Sequence, residues 1–202
     1  MSRSGKSSLL SMLSGEKTPT KGSVFISGHD VRGKGRTEAL EVQGCACLCL
    51  QENPLPERMT AREMLGLFGR LRGISVTEID TKVDRLLHTI GLARYGDKAT
   101  ETLSGGNKRM LSLGIALNSD PKVLMIDESG TGIDPVAQGR VWSIVSRVSR
   151  DRSVILTTHC MKEAHVLASR AAIMADGKFL RVGSVQHLKV SHGWISLSAE
   201  WC

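Results

Sequence analysis

Short apolar runs alternate along the chain with longer segments in which apolar residues recur at helical spacing. Such runs occupy residues 123–126, 154–157 and 171–174, and segments of helical character at 136–148 and 161–168 separate them. Short apolar runs without a polar face are typical of strands that are buried on both sides, and helices between strands favour parallel pairing. The pattern therefore predicts an α/β fold built around a parallel sheet.

The first fifty residues continue this pattern with a weaker signal. We predict a helix over residues 7–13 and a strand over residues 23–26. A polar, charged link over residues 29–37 leads to a second strand-like stretch over residues 42–50.

The pattern predicts three helices in the middle of the chain. Thr60 and Glu63 have the spacing of a capping box, in which each side chain satisfies a backbone N–H of the first turn. Further helices are predicted over residues 77–92 and 104–117. The first helix places large apolar residues at helical spacing, and we expect these to face the core: Met64, Leu67, Phe68 and Leu71.

Length and pattern together indicate one domain with a helical insertion. The 202 residues suit a single domain. We assign residues 1–51 and 119–202 to the α/β core and residues 52–118 to a helical subdomain. No stretch approaches the roughly 18 consecutive apolar residues of a membrane-spanning helix.

The net charge of +7 raises the question of a nucleic-acid partner. The lysines and arginines are spread along the chain rather than gathered into a basic run interleaved with aromatic residues. We therefore predict no nucleic-acid surface, and a basic domain that handles phosphates is the simpler interpretation.

The cysteines indicate a reducing compartment, because their number is five and their spacing forms no disulfide framework. Cys45, Cys47 and Cys49 alternate, so they would share one face of a strand. No histidine lies at ligand spacing, and core packing is favoured over a zinc site.

A phosphate-binding loop is indicated near the start of the chain, where Ser4-Gly5-Lys6-Ser7-Ser8 precedes an apolar helix face. The segment resembles the end of the pattern G-x-x-x-x-G-K-[ST]. Gly5 would let the backbone approach the phosphates, Lys6 would reach the β/γ oxygens, and the Ser7 hydroxyl would ligate Mg²⁺.

Three strand ends carry the residues expected to act on a nucleotide. Asp127 ends an apolar strand, where its carboxylate suits a Mg²⁺ ion, and the adjacent Glu128 can polarise an attacking water as a general base. His159 follows the next strand, which would bring it beside the γ-phosphate. Gln51 follows the cysteine-bearing strand, where it can contact Mg²⁺ and pass movement to another module.

A second phosphate contact is indicated by Leu103-Ser104-Gly105-Gly106-Asn107, shortly ahead of the Asp-Glu strand. A Ser-Gly-Gly turn that opens a helix leaves backbone N–H groups free to hold a phosphate. Together with the carboxylates, this turn describes a protein that closes around ATP and hydrolyses it.

The order and spacing of six motifs resemble the nucleotide-binding domain of an ABC transporter, over nearly the whole chain. These motifs are Gly5-Lys6-Ser7, Gln51, Leu103-Ser104-Gly105-Gly106-Asn107, Ile126-Asp127-Glu128, Gly132-Ile133-Asp134-Pro135 and His159. The resemblance implies a P-loop NTPase fold of ABC type, with ATP and Mg²⁺ as cofactors.

Several details resemble the A subfamily, the lipid transporters. Asn107 stands where most ABC families have glutamine, and residues 71–73, 90–92 and 183–189 point the same way. The last of these segments is similar in particular to the second of that family's two cassettes.

The resemblance assigns a role to each motif. Ser4, Gly5, Lys6, Ser7, Ser8, Gln51 and Asp127 would bind ATP, and Ser7, Gln51 and Asp127 would hold Mg²⁺. Residues 103–107 would cap the ATP of a second cassette, Asp134 would lie at the dimer interface, Glu128 would be the base, and His159 would steady the γ-phosphate. The implied partners are a second nucleotide-binding domain and transmembrane domains that handle lipid, at the cytosolic face of a membrane.

Four features depart from the family. The family's strand before the phosphate loop and its adenine-stacking aromatic residue are absent, Arg3 replaces a loop glycine, Ser129-Gly130 replaces Pro-Thr, and the sequence has no membrane span. We therefore expect a truncated cassette, cut within the phosphate loop and missing N-terminal strands, that binds ATP poorly. Two alternatives remain open: a soluble ABC ATPase, and a catalytically impaired module that binds nucleotide or a partner.

Overall fold

The computed structural model describes residues 4–31, 42, 44–51 and 55–191. Its α-helices and strands with defined bounds are α1 (Lys6–Leu13), β1 (Phe25–Ile26), β2 (His29–Asp30), β3 (Ala46–Cys49), α2 (Ala61–Leu71), α3 (Val76–Thr89), α4 (Gly105–Leu117), β4 (Val123–Asp127), α5 (Pro135–Val148), β5 (Ser153–Thr157), α6 (Met161–Leu167), β6 (Arg170–Ala175), β7 (Lys178–Ser184) and α7 (Val185–Ser191). Two short 3₁₀ helices, Ala93–Tyr95 and Thr100–Thr102, lie between α3 and α4. Arg3 and the predicted alternating run around Ile195 lie outside the described residues.

A three-stranded parallel sheet in the order β3-β4-β5 forms the centre of the fold. Its register places Leu124 of β4 between Cys47 and Val154. The carboxyl ends of parallel strands meet at one edge of the sheet, so the residues that follow β3, β4 and β5 converge there. The predicted α/β fold with a parallel core is confirmed. Two antiparallel pairs, β1–β2 and β6–β7, accompany this sheet.

The two faces of the central sheet are buried against different elements. Cys47, Leu124 and Ile126 belong to a large apolar core that also contains residues of α2, α3, α4 and α5. Ala46 and Met125 face a much smaller cluster that includes Leu10 of α1. Because successive side chains of a strand point to opposite faces, these neighbours in sequence belong to separate cores.

The first middle helix, α2, begins as the sequence predicts. Thr60 accepts a hydrogen bond from the Glu63 backbone N–H, and the Glu63 carboxylate accepts one from the Thr60 N–H, which completes the capping box. The Thr60 N–H and the Thr60 hydroxyl both donate to the Glu63 carboxylate. These two bonds lower the pKa of the Glu63 carboxyl, because they stabilise its charged form.

The predicted apolar face of α2 is partly wrong. Leu67 and Leu71 are 40% and 71% exposed, although Met64 is buried as expected. The buried stripe instead follows Ala61, Leu65 and Gly69 at a spacing of four residues. A Cβ on Gly69 would lie 2.2 Å from Cδ1 of Ile79, so small residues on this stripe allow α3 to approach closely.

The predicted polar link over residues 29–37 is wrong at its start. His29 and Asp30 form β2, which pairs antiparallel with β1. Ser27 and Gly28 both have positive φ values, 52° and 88°, as a two-residue hairpin turn requires. The rest of the predicted link lies outside the described residues.

The cysteine-bearing strand is shorter than residues 42–50, because residues 44 and 45 are helical and β3 begins at Ala46. Cys47 and Cys49 are buried in the large core, whereas Cys45 packs against the small cluster. The predicted common face for all three thiols is therefore wrong. Burial raises the pKa of the Cys49 thiol to about 11, although the nearby Arg109 opposes this shift.

No helix in the described part of the chain combines the length and the apolar character that crossing a bilayer requires.

Candidate functional site

Glu128 and His159 meet at the carboxyl edge of the central sheet. The His159 Nδ1 atom lies 3.5 Å from Oε2 of Glu128, and the same oxygen accepts a hydrogen bond of 2.9 Å from the Thr131 hydroxyl. The Glu128 side chain is 15% exposed and the His159 side chain 48%. A carboxylate at a partly open site, oriented by two polar neighbours, can accept a proton from water.

Asp127 lies at the end of β4 and is buried. Its Oδ1 atom accepts a hydrogen bond from the Thr157 hydroxyl, which fixes the carboxylate at the edge of the sheet. A Mg²⁺ ion prefers oxygen ligands and is commonly held by one or two protein groups, water and substrate phosphates. The Asp127 carboxylate, the Ser7 hydroxyl and the Gln51 amide each offer an oxygen atom, the type of ligand that Mg²⁺ prefers.

The predicted phosphate-binding loop leads into α1. Gly5 precedes the helix with a φ of 89°, a conformation that favours glycine. No side chain caps this end of the helix, and the N–H groups of Ser7 and Ser8 find no acceptor among the described residues. The start of α1 therefore offers backbone donors to an anion.

The loop is anchored on one side by the turn between β6 and β7. The Gly177 N–H donates a 3.1 Å hydrogen bond to the Ser4 carbonyl, and a Cβ on Gly5 would lie 3.2 Å from the Gly177 Cα. Within the loop, the Lys6 ammonium donates to the Ser4 hydroxyl at 2.8 Å. Through Leu10, α1 also packs against Met125 of β4.

Residues 103–107, which we call the signature segment, lie at the start of α4, the signature helix. Leu103 is buried, and the Ser104 hydroxyl accepts a hydrogen bond from the Asn107 N–H. The N–H groups of Gly105 and Gly106 find no acceptor in the part of the chain that the structure describes. This helix start, like that of α1, is thus able to hold a phosphate.

The two signature glycines have different surroundings. A Cβ on Gly106 would lie 2.4 Å from the Cβ of Ala137, so this glycine permits contact between α4 and α5. A Cβ on Gly105 would meet no atom within 4 Å. The open side of Gly105 leaves room for a ligand.

Asp134 and Gln51 are both exposed. The Asp134 carboxylate caps α5 by accepting hydrogen bonds from the Val136 and Ala137 N–H groups. The Gln51 carbonyl accepts a 3.3 Å hydrogen bond from Arg109 of α4, which links the end of β3 to the signature helix.

The sequence did not indicate three residues whose hydrogen bonds connect segments at the carboxyl edge of the central sheet. Thr157 donates to Asp127, Glu163 accepts from Ser129, and Arg109 donates to carbonyls at the ends of β3 and β4. The Thr157-Thr158 pair directly before His159 is a signal that could have indicated the first of these. The other two depend on contacts between distant parts of the chain, and no local pattern identifies them.

The central sheet is parallel, and its strand ends carry Asp127-Glu128 and His159. Two helix starts beside it leave backbone N–H groups open. Together these features define a P-loop NTPase of ABC type. Comparison with known families agrees, because the ABC transporter family model matches residues 2–131. The chain belongs to the ABC transporter family.

Curated relatives confirm the predicted resemblance to the A subfamily. The chain is 41% identical to rat ATP-binding cassette sub-family A member 17 and 40% identical to human phospholipid-transporting ATPase ABCA3, each over 190 residues. It is 42% identical over 190 residues to human ATP-binding cassette sub-family A member 2. Each alignment covers 94% of this chain but only 10%, 11% and 8% of the relative, so the chain spans about a tenth of these proteins.

Solved structures confirm the fold. The cbiO1 protein of Clostridium perfringens, part of a cbiONQ ABC transporter complex, superposes with a TM-score of 0.85 at 21% identity, covering 96% of this chain and 78% of that one. A dimeric ATP-binding cassette bound to ADP and Pi gives a TM-score of 0.80 at 20% identity, covering 90% of this chain and 81% of that one.

Proposed function

We propose that this chain binds MgATP and, paired with a second cassette, hydrolyses it to drive transport of lipid by membrane domains of a larger protein. Such a cassette works at the cytosolic face of a membrane. The observation that carries the proposal is the contact between His159 and Glu128 at the sheet edge, where Asp127 also lies.

Residues of the phosphate loop supply binding in this proposal. The open N–H groups of Ser7 and Ser8 and the Lys6 ammonium hold the phosphates, and Asp127, Ser7 and Gln51 hold the Mg²⁺ ion. When bound, the ion neutralises charge on the transferred phosphoryl group.

Glu128 and His159 supply the chemistry. Glu128 accepts a proton from the attacking water, while His159 donates a hydrogen bond to the γ-phosphate and keeps the carboxylate in place. The Gly105 and Gly106 N–H groups hold the γ-phosphate of the ATP on a partner cassette, with Asp134 at the shared interface. The lipid cargo is inferred from the A-subfamily relatives, one of which is named a phospholipid-transporting ATPase.

Three variants separate binding from hydrolysis. Lys6→Ala should weaken ATP binding by about 10- to 100-fold, the effect of losing about 1.5–3 kcal/mol from a hydrogen bond to a charged group. Glu128→Gln should retain binding and lower turnover by about 10²- to 10⁴-fold. Exposed Lys17 gives a matched control, and Lys17→Ala should change neither quantity. Nucleotide titration and phosphate release provide the two measurements.

Glu128→Gln and one further variant, Ser104→Arg, decide between the proposal and its alternative. ATP should convert Glu128→Gln from monomer to dimer in size-exclusion chromatography, and Ser104→Arg should prevent this while leaving ATP binding intact. If the chain binds ATP but Glu128→Gln releases phosphate as fast as the unaltered chain, hydrolysis by Glu128 is refuted. Binding without any turnover would instead support the impaired nucleotide-binding module.

A further inference from the structure

We propose that Arg109 is a positioning residue for Glu128, because its guanidinium clamps the backbone on both sides of that glutamate. This inference rests on the proposed function, in which Glu128 is the base. Arg109 would act through the backbone and would not touch the substrate.

The clamp consists of two hydrogen bonds from one buried side chain. Arg109 lies in α4 and is only 4% exposed. Its Nη2 donates to the Asp127 carbonyl at 2.7 Å, and its Nε donates to the Ser129 carbonyl at 3.3 Å. These carbonyls belong to the residues directly before and directly after Glu128. A planar guanidinium can span both because its donors have a fixed, forked geometry.

The backbone of Glu128 needs such support. Its φ is 45°, in the left-handed region that residues with side chains rarely adopt. Conformations of this kind persist where surrounding contacts over-determine them, and they are frequent at functional sites. The Glu128 N–H donates to the Thr157 carbonyl at 3.0 Å, and Arg109 holds the carbonyls of the two neighbouring residues.

The residue after Glu128 is held from a second direction. The Ser129 hydroxyl donates to Oε1 of Glu163, a carboxylate that is 1% exposed. The same oxygen accepts a 2.8 Å hydrogen bond from the Trp142 indole. Ser129 is thus fixed at its carbonyl and its hydroxyl, and Arg109 additionally reaches the carbonyl before Glu128.

The remaining donor of Arg109 extends the clamp to the end of β3. Nη1 donates to the carbonyls of Leu50 and Gln51. One guanidinium therefore connects the signature helix, the Gln51 segment and the backbone of the catalytic glutamate. A shift of α4 or of the Gln51 segment would be transmitted to Glu128 through this side chain.

Site-resolved amide hydrogen exchange tests the clamp without relying on ATP. In Arg109→Met we expect the protection factor of the Glu128 amide to fall at least about tenfold more than that of the Val145 amide in α5. Val145 is buried and reports global opening. Equal losses at the two amides would overturn the proposal, because a merely structural role affects both alike.

Two further variants keep the test decisive. Arg109→Lys retains the charge but lacks the fork, so it should show the same selective loss and serves if Arg109→Met does not fold. Arg152 is a matched control, since it also donates to backbone carbonyls, those of Val148 and Pro121. Arg152→Met should lower the protection of Glu128 and Val145 equally.

Turnover separates this proposal from the proposed function. In a hydrolysing chain, Arg109→Lys should lower kcat at least about tenfold while the Kd for ATP changes less than about twofold, since small misplacement of a catalytic group is costly. An unchanged kcat would overturn the role of Arg109. An unaltered chain without turnover would refute the proposed function alone, and the exchange experiment would still decide whether Arg109 clamps Glu128.

Discussion

Among the described residues, the two faces of the central sheet bury very different numbers of apolar side chains. On one face, Leu124 and Ile126 join a large core in which Leu111 is completely buried. On the other face, Met125 meets Leu10 of α1 in a small cluster with Ile26, Val42 and Ala46. The signature helix α4 belongs to the first face, and α1, which follows the predicted phosphate-binding loop, belongs to the second.

Because of this difference, we expect the two candidate phosphate-binding helix starts to differ in how easily they move. Local opening is governed by how much apolar surface a segment buries, so α1 should detach at a lower free energy than α4. The helix that presents Lys6 would then be able to adjust when a nucleotide arrives. The signature helix, clamped through Arg109, would keep its geometry relative to Glu128.

Removing one buried leucine from each face tests this comparison with the largest effects. Leu111→Ala should lower the global free energy of unfolding by about 2–5 kcal/mol, because it leaves a cavity in the large core. Leu10→Ala should mainly increase amide exchange in α1. Alkylation of Cys49, buried in the large core, should accelerate in Leu111→Ala but not in Leu10→Ala.

If Cys49 became equally reactive in both variants, the two faces would unfold as one cooperative unit. The comparison between them would then be wrong. Chemical denaturation and peptide mapping of alkylated cysteines supply the measurements.

The pH dependence of the free energy of unfolding tests how strongly the large core disfavours the charged form of Cys49. The folded-state pKa of Cys49 is raised from 9.0 to about 11, so its contribution is present below pH 9 and lost as pH rises through 11. The full loss is about 2–3 kcal/mol, at 1.36 kcal/mol per unit. Denaturation from pH 8 to 11 should show a smaller decline in Cys49→Ala, whereas Cys160→Ala, at a partly exposed thiol, should leave the decline intact.

The two signature glycines provide the next test. Gly106→Ala should destabilise the chain by about 1–3 kcal/mol, because the new Cβ would lie 2.4 Å from that of Ala137. Gly105→Ala meets no atom and should change stability by less than about 0.5 kcal/mol. Thermal unfolding of both variants measures the contrast, and equal effects would show that α4 and α5 separate easily.

Features whose interacting residues lie close together in the sequence were predicted, whereas features that depend on contacts between distant residues were not. The Thr60–Glu63 box was predictable because both partners lie within one helical turn. The exposure of Leu67 and Leu71 was not, since helical spacing does not tell which of two adjacent stripes meets the neighbouring helix. That choice depended on Gly69 and its close approach to Ile79.

In the candidate site, too, some contacts follow from the order of elements and others depend on groups that the sequence does not reveal. Strand ends in a parallel sheet meet at one edge, so the approach of Glu128 and His159 follows from the order of elements. The clamp by Arg109 depends on carbonyls of Asp127 and Ser129, and carbonyls carry no signal in the sequence. Prediction therefore identified the candidate catalytic side chains and missed the group that we propose positions one of them.

The smallest expected effect concerns the start of α2, on the well-packed face. Thr60→Ala should lower the free energy of unfolding by about 1 kcal/mol, because the Thr60 hydroxyl caps the helix. Ser75→Ala is the control and should have a smaller effect, because the Ser75 side chain makes no capping hydrogen bond to α3. Because the pKa of Glu63 is lowered, the bonds from Thr60 to its carboxylate stabilise the folded state above the ordinary carboxyl pKa. This stabilisation is lost as pH falls through the folded-state pKa. Thermal unfolding at pH 7 and below pH 4 should therefore show the Thr60→Ala penalty shrinking on acidification, and a penalty independent of pH would contradict the reciprocal box.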